Sequence, residues 1–300
     1  VRRNIFPPYF ILYIVNEKDG SEFNMKHRIL QLADWDSNAI NYEVLIKAKQ
    51  CGFTDIQISP VQEIRDGIGY WWNVYQPISL QIGNRIANKT DLRQLGTRCE
   101  NMGLGLIVDI VTHHTTTELE KSKLIRLLYN ETRLVMNYND RYENTHYRVG
   151  GLPTLDMWSS ALQSQVNNLI NELRECGVTG LRWDACKHIE LPCEGCNFFT
   201  NTLQRHRDMF QYGEVIFTPK DLMEKYQAIM IVGTESSQGT DECRCVLWVE
   251  SHDSYNEHWT NYGNSDEVAY RYMDLVREHP DANTLFFVRP YCDSWKLIRH

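Results

Sequence analysis

Four short segments place acidic, basic and imidazole side chains together where apolar runs end. They are Asp109 to His114 (DIVTHH), Arg182 to His188 (RWDACKH), Tyr212 to Glu214 (YGE) and Glu250 to Asp253 (ESHD). In an extended strand, Arg182 and Asp184 stand two residues apart and share a face. Such a pair either ties a fold together or holds a carboxylate ready for reaction. A basic neighbour keeps a carboxylate ionised and oriented. A second carboxylate then completes the equipment for glycoside hydrolysis: one group attacks the anomeric carbon, and the other protonates the leaving oxygen and later activates water. Taken singly, each residue has a plainer reading. An aspartate at a strand end commonly caps the next helix, and a lone histidine is commonly a hydrogen-bonded surface residue. Four strand ends carrying such groups together favour the chemical reading.

The elements that must position these residues are legible as apolar runs. Eight short runs rich in β-branched and aromatic residues recur: 28–34, 53–59, 104–110, 178–184, 209–215, 228–233, 246–251 and 284–288. They are too short for helices and nearly continuous in hydrophobicity, as strands covered on both faces should be. Helical patterns lie between many of them. Residues 38–52 and 90–103 end on Gly52 and Gly103, 158–177 has the clearest periodicity, and 266–280 closes at Pro280. At 218–221, Thr218 is expected to cap a helix with Pro219 in its first turn.

Alternating strands and helices predict the α/β class and a (β/α)8 TIM barrel, whose chemistry sits at the C-terminal ends of the strands. The barrel is assigned to residues 28–300, after an N-terminal extension at 1–27. Residues 111–157 read as a reduced inserted subdomain or long loop after the third strand. Only about a dozen residues (234–245) join the sixth and seventh strands, so helix 6 is expected to be shortened or missing. From the short tail after the eighth strand, no C-terminal β-domain is expected.

Composition narrows the class. The chain has 300 residues, 42% of them hydrophobic and 23% charged, and its net charge of −8 argues against nucleic acid and for a neutral or cationic ligand. Eight Trp and 16 Tyr suit stacking on sugar rings, although aromatics mostly fill cores. No apolar run is long enough to span a membrane. VRRNIFPPYFILYIVNE at the start has two arginines and a short apolar stretch, but Pro7 and Pro8 interrupt it and no clear signal peptide is read. The nine cysteines are expected to be unpaired or to form one local disulfide, rather than a zinc site.

The same four segments resemble the α-amylase family of retaining glycoside hydrolases (family 13), most narrowly its secreted bacterial members of the Bacillus subtilis type. DIVTHH is similar to the family's D-x-V-x-N-H, and GLRWDACKHIELP to G-F-R-x-D-A-x-K-H with its bacterial continuation. FQYGEVI and WVESHDSY match the third and fourth family segments, while 71–85 and 285–290 resemble flanking ones. The resemblance implies Asp184 as nucleophile, Glu214 as general acid/base and Asp253 as stabiliser of the transition state. Arg182, His114 and His252 would hold the sugar or the nucleophile. Tyr75 would stack on that sugar, with Trp72 and Gln76 nearby, and Lys187 would reach the leaving-group side. Asp109 would support Arg182.

The implied reaction is hydrolysis of internal α-1,4 bonds in starch-like or glycogen-like α-glucan, with retention, and the implied location is secreted or extracytoplasmic. A glucan-binding pseudoenzyme or degenerate fragment of an α-amylase, or a transglycosylase or oligosaccharide hydrolase on the same barrel, are the alternatives. The sequence leaves the oligomeric state open.

The resemblance also implies calcium, and here this chain departs from the pattern. His113 and Thr154 stand where the family has Asn and Asp ligands, and only the backbone carbonyl of His188 remains. Imidazole and a single hydroxyl replace charged oxygen donors poorly. Asp140 and Asp156 are the nearby carboxylates that could compensate, and no metal ligand is assigned. Ser251 stands where chloride-dependent relatives have Asn.

Overall fold

The structure, a computed structural model, describes residues 26–65 and 69–300. Residues 1–25, and with them most of the N-terminal extension, lie outside the described residues. All eight predicted runs form strands: β1 (Arg28–Leu32), β2 (Asp55–Ile58), β5 (Gly105–Ile110), β6 (Gly180–Trp183), β7 (Phe210–Glu214), β8 (Ile231–Thr234), β9 (Cys245–Trp248) and β10 (Asn283–Phe287). They pair in parallel and close in the order β1-β10-β9-β8-β7-β6-β5-β2, with β1 joining β2. Two further strands, β3 (Gln62–Ile64) and β4 (Pro77–Ile82), form an antiparallel pair beside the barrel. No periodicity in the sequence announced that pair.

Strand alternation divides the core in two. Ile29, Ile107, Tyr212, Val246, Trp248, Leu285 and Phe287 fill the barrel, while the larger apolar cluster lies between strands and helices. Gly233 belongs to the interior pattern. A Cβ there would meet the Tyr212 ring at 2.7 Å, so this position must stay small for the tyrosine to fit.

The helices begin where polar caps permit. Asn41 caps α1 (Tyr42–Gln50), and Asn88 caps α2 (Lys89–Met102), which ends on left-handed Gly103. Ser159 caps α4 (Ser160–Glu175), and Asn264 caps α8 (Ser265–Glu278). The expectation at Thr218 fails. Pro219 occupies the cap of α6 (Lys220–Gln227), and the Thr218 hydroxyl donates back to the Ile216 carbonyl at 3.0 Å. Between β6 and β7 the only α-helix is α5 (Phe198–Asn201), among single-turn 3-10 segments.

No α-helix joins β8 to β9; one 3-10 turn at Glu242–Arg244 takes that place. The outer sides of those strands are not bare, because α6 packs on β8 and α8 spreads over β9 and β10. Residues 111–157 carry short 3-10 turns, α3 (Arg141–His146) and isolated bridges such as His114 with Thr154, without a sheet of their own. α7 (His252–Asn256) begins directly after β9.

Candidate active site

The centre of the site is one guanidinium. Arg182 points inward from β6 with its side chain 5% exposed, and four carboxyl groups face it. Its Nη1 donates to Asp184 Oδ1 at 2.7 Å and to Asp109 Oδ2 at 3.1 Å, and its Nη2 donates to Glu214 Oε1 at 2.5 Å. Asp253 Oδ2 lies 3.8 Å from Nη2. The shared strand face of Arg182 and Asp184 is therefore a real contact, extended to two neighbouring strands by the parallel register that sets Asp109 beside Arg182.

A polar floor holds these groups. Gln57 Nε2 donates to Asp109 Oδ1 at 2.6 Å, the Tyr75 hydroxyl donates to Asp109 Oδ2 at 2.8 Å, and the Tyr212 hydroxyl donates to Gln57 Oε1. The Ala185 N–H donates to Glu214 Oε2 at 2.9 Å, so both oxygens of Glu214 have partners. Ala185 reaches this position by adopting a left-handed backbone with φ of 49°.

One cation among four buried acids cannot neutralise them all, and their proton affinities reflect this. Burial, with Glu214 and Asp109 adding repulsion against Arg182, raises Asp184 to about 7. Burial raises Asp109 to about 6. Burial and then Glu214 push Asp253 well above the carboxylate range. Burial opposes the charge on Arg182, but Glu214, Asp109 and Asp184 outweigh it and hold the guanidinium charged. The site thus retains protons on carboxyls near neutral pH.

Neutral histidines flank the acids. Burial lowers His114 to about 4 and His252 well below its ordinary value. His114 Nε2 donates to the Tyr75 carbonyl at 2.9 Å and lies 3.9 Å from Asp184 Oδ2. Gln31 Nε2 donates to His252 Nδ1 at 3.0 Å, which places the ring proton on Nε2, 3.3 Å from Asp253 Oδ2. Ser251 caps α7, the short helix that carries His252 and Asp253.

The remaining sequence-selected residues divide. Tyr75 is nearly buried, stacked on His252 at 5.0 Å. Trp71 stands edge-on to both rings and lines a small cleft with Ala33, Asp34, Ser59, Tyr75, His252 and Phe287. Trp72 stacks instead on exposed Tyr70, and Gln76 closes the same turn. Lys187 turns its Nζ to the Ile216 carbonyl at 2.9 Å, with the Tyr138 ring 5.8 Å away. Glu250, one of the strand-end acids, leaves the centre and forms a two-pronged pair with Arg289 at 2.7 and 2.8 Å.

Gln31, Gln57 and Trp71 were not singled out from the sequence. The two glutamines could have been found as polar residues at inward positions of otherwise apolar strands. Among the described residues, no group of three His, Cys, Asp or Glu side chains is arranged to hold a metal ion. All nine cysteines are free thiols.

The α-amylase of Clostridium acetobutylicum is 27% identical to this chain over 318 aligned residues, covering 92% of the chain and 40% of that protein. The chain is thus similar to α-amylases over most of its length. The α-amylase of Butyrivibrio fibrisolvens is 24% identical and covers 87% of the chain and 34% of its own length, so the chain spans well under half of these two relatives. No family model matches. The barrel superposes on wild-type α-amylase I of Eisenia fetida with a TM-score of 0.74 at 18% identity, over 89% of the chain and 67% of that structure. An α-amylase from Malbranchea cinnamomea gives 0.64 at 18% identity, over 87% and 67%. Among the described residues, no helix is long and apolar enough to cross a membrane.

Proposed function

We propose that this chain hydrolyses internal α-1,4 bonds of starch-like glucans with retention, through a covalent glycosyl-enzyme. One observation carries the reading: Arg182 holds Asp184 and Glu214 on the two terminal nitrogens of a single guanidinium. Carboxyls gathered that closely suit the retaining separation of roughly 5–5.5 Å better than the wider inverting one. Asp184 is the group to attack the anomeric carbon, and Arg182 keeps it aimed through its bond to Oδ1. Glu214 gives its proton to the leaving oxygen and later takes one from water. Asp253, 3.8 Å from Arg182 Nη2, is the third carboxyl and faces the cation-like transition state as its stabiliser. Trp71, Tyr75 and His252 form an aromatic wall suited to one sugar ring. The substrate class is supported by the Eisenia fetida relative, one variant of which was solved with maltohexaose and matches at a TM-score of 0.73. An extracytoplasmic location accords with the resemblance and is tested by fractionating the source cells.

The test is reducing-sugar release from soluble starch. Wild-type protein is expected to release sugar, with Asp184→Asn and Glu214→Gln each slower by about 10²–10⁴-fold or more. Folded wild-type protein that binds maltoheptaose without turnover would overturn the proposal and establish a glucan-binding protein.

A further inference from the structure

The calcium expected from the resemblance finds no matching donors here. The Thr154 hydroxyl is directed at the Tyr147 carbonyl at 3.4 Å. His113 is fully buried beside His114 and His188, its Nε2 without a hydrogen-bond partner. The two carboxylates that could have compensated serve as caps: Asp140 accepts from the Glu143 N–H, and Asp156 from the Trp158 N–H. What lies between residues 111–157 and the end of β6 is a cation of another kind.

Arg141, the first residue of α3, reaches across 46 positions to the segment that follows Asp184. Its Nη1 donates to the Lys187 carbonyl at 2.5 Å, and its Nη2 donates to the Ile189 carbonyl at 3.0 Å. The same guanidinium grips Glu194 through Nε at 2.7 Å and Nη2 at 2.6 Å, and touches the Tyr226 hydroxyl at 3.0 Å. Tyr226 in turn donates to the Ile189 carbonyl at 2.7 Å. His188 completes the seam by donating from Nδ1 to the Asn144 carbonyl at 3.0 Å. Backbone carbonyls and one carboxylate around a fixed positive charge are what a bound calcium would gather. A planar guanidinium can satisfy the same oxygens with directed donors and without a metal. A second cation would have to displace it or sit against its charge.

We propose that Arg141 does the work of a bridging metal, fastening residues 111–157 to the 185–189 turn and making the assembly of this site independent of calcium. The turn it fastens presents the Ala185 N–H to Glu214 and carries Lys187.

The experiment uses the full chain and two readouts that need no turnover: thermal unfolding, and limited proteolysis within 128–148. Wild-type protein is expected to show the same Tm in excess EGTA and in millimolar calcium. Arg141→Met should lower Tm by several degrees and speed cleavage about tenfold or more. Arg141→Lys, which keeps charge but cannot bridge two carbonyls and a carboxylate at once, should restore part of the protection. If Arg141→Met does not fold, Glu194→Gln, which weakens only the carboxylate arm, should speed cleavage a few-fold. A wild-type Tm that rises with calcium and falls with EGTA overturns the proposal, as does an Arg141→Met protein as protected as wild type. A calcium-indifferent, stable protein without glucanase activity would count against the proposed reaction and leave the role of Arg141 standing.

Discussion

Replacing the candidate nucleophile should make the protein more stable, and only at neutral and alkaline pH. Asp184 has an ordinary value of 3.8 and is raised to about 7 in the fold, first by burial and then by Glu214 and Asp109 against the pull of Arg182. A group with a raised folded value binds its proton more tightly in the native state. Its contribution is fully present below the unfolded value, near pH 4, and is lost as pH climbs through about 7. At about 1.4 kcal/mol per unit, the full difference is ~4 kcal/mol. Neighbouring carboxyls take up part of it by re-titrating, so on the order of 1–3 kcal/mol is expected.

Asp184→Asn keeps the shape and an oxygen acceptor for Arg182 Nη1, while Glu214 and Asp109 continue to hold the guanidinium. The variant should therefore gain roughly 2–6 °C in Tm over wild type at pH 8, by the usual conversion for large domains, and gain little at pH 4.5. Urea or thermal unfolding of both proteins from pH 4.5 to 8 reads the difference directly. A variant less stable than wild type at pH 8, or a gain that is the same at both ends, would refute the reasoning that these acids repel one another in a dry site.

Two further outcomes follow from the same structure. His114 and His188 are lowered by burial to about 4 and about 3, so their contribution to stability should fall as pH drops below about 6.5, opposite in sign to that of Asp184, because the unfolded chain takes up protons that the folded one refuses; urea midpoints of wild type and His188→Gln from pH 7 to 4.5 check this, and a difference between the two that does not change with pH contradicts it. Phe217, three residues after Glu214, is 60% exposed in a left-handed backbone with φ of 47°, held there by Glu235 Oε1 on its N–H and packed edge-on to exposed Trp259. Phe217→Gly should raise stability by about 0.5–1 kcal/mol through relief of that strain. The same change should weaken binding of long maltooligosaccharides relative to short ones, and equal losses for both lengths would show that the exposed pair does not touch sugar.

The eight strands were readable because strands buried on both faces must be apolar almost throughout, and such runs stand out between amphipathic helices. The polar clusters at four strand ends were readable for the same reason, since charge interrupts those runs where the barrel opens. Strand parity alone placed Arg182 and Asp184 on one face. Parity could not say that the guanidinium would also collect Asp109, Glu214 and Asp253, because their meeting depends on barrel closure and on the register between strands. Nor could it choose between Trp71 and Trp72. Neighbours in a 3-10 turn point about 120° apart, and only the packing of that turn on Tyr75 and His252 decides which ring faces the cleft. Thr218 had the residue type of a helix cap, but the Ile216 carbonyl was the nearer partner. The seam at Arg141 was invisible in the sequence, where only the missing calcium ligands showed. Its partners lie 46 to 85 residues away, and two of them are backbone carbonyls, which leave no trace in residue type. Sequence determined which side chains are polar and which strand ends carry them, because burial dictates composition. Tertiary structure decided which of them share one charge, because that depends on distances that only the closed barrel sets.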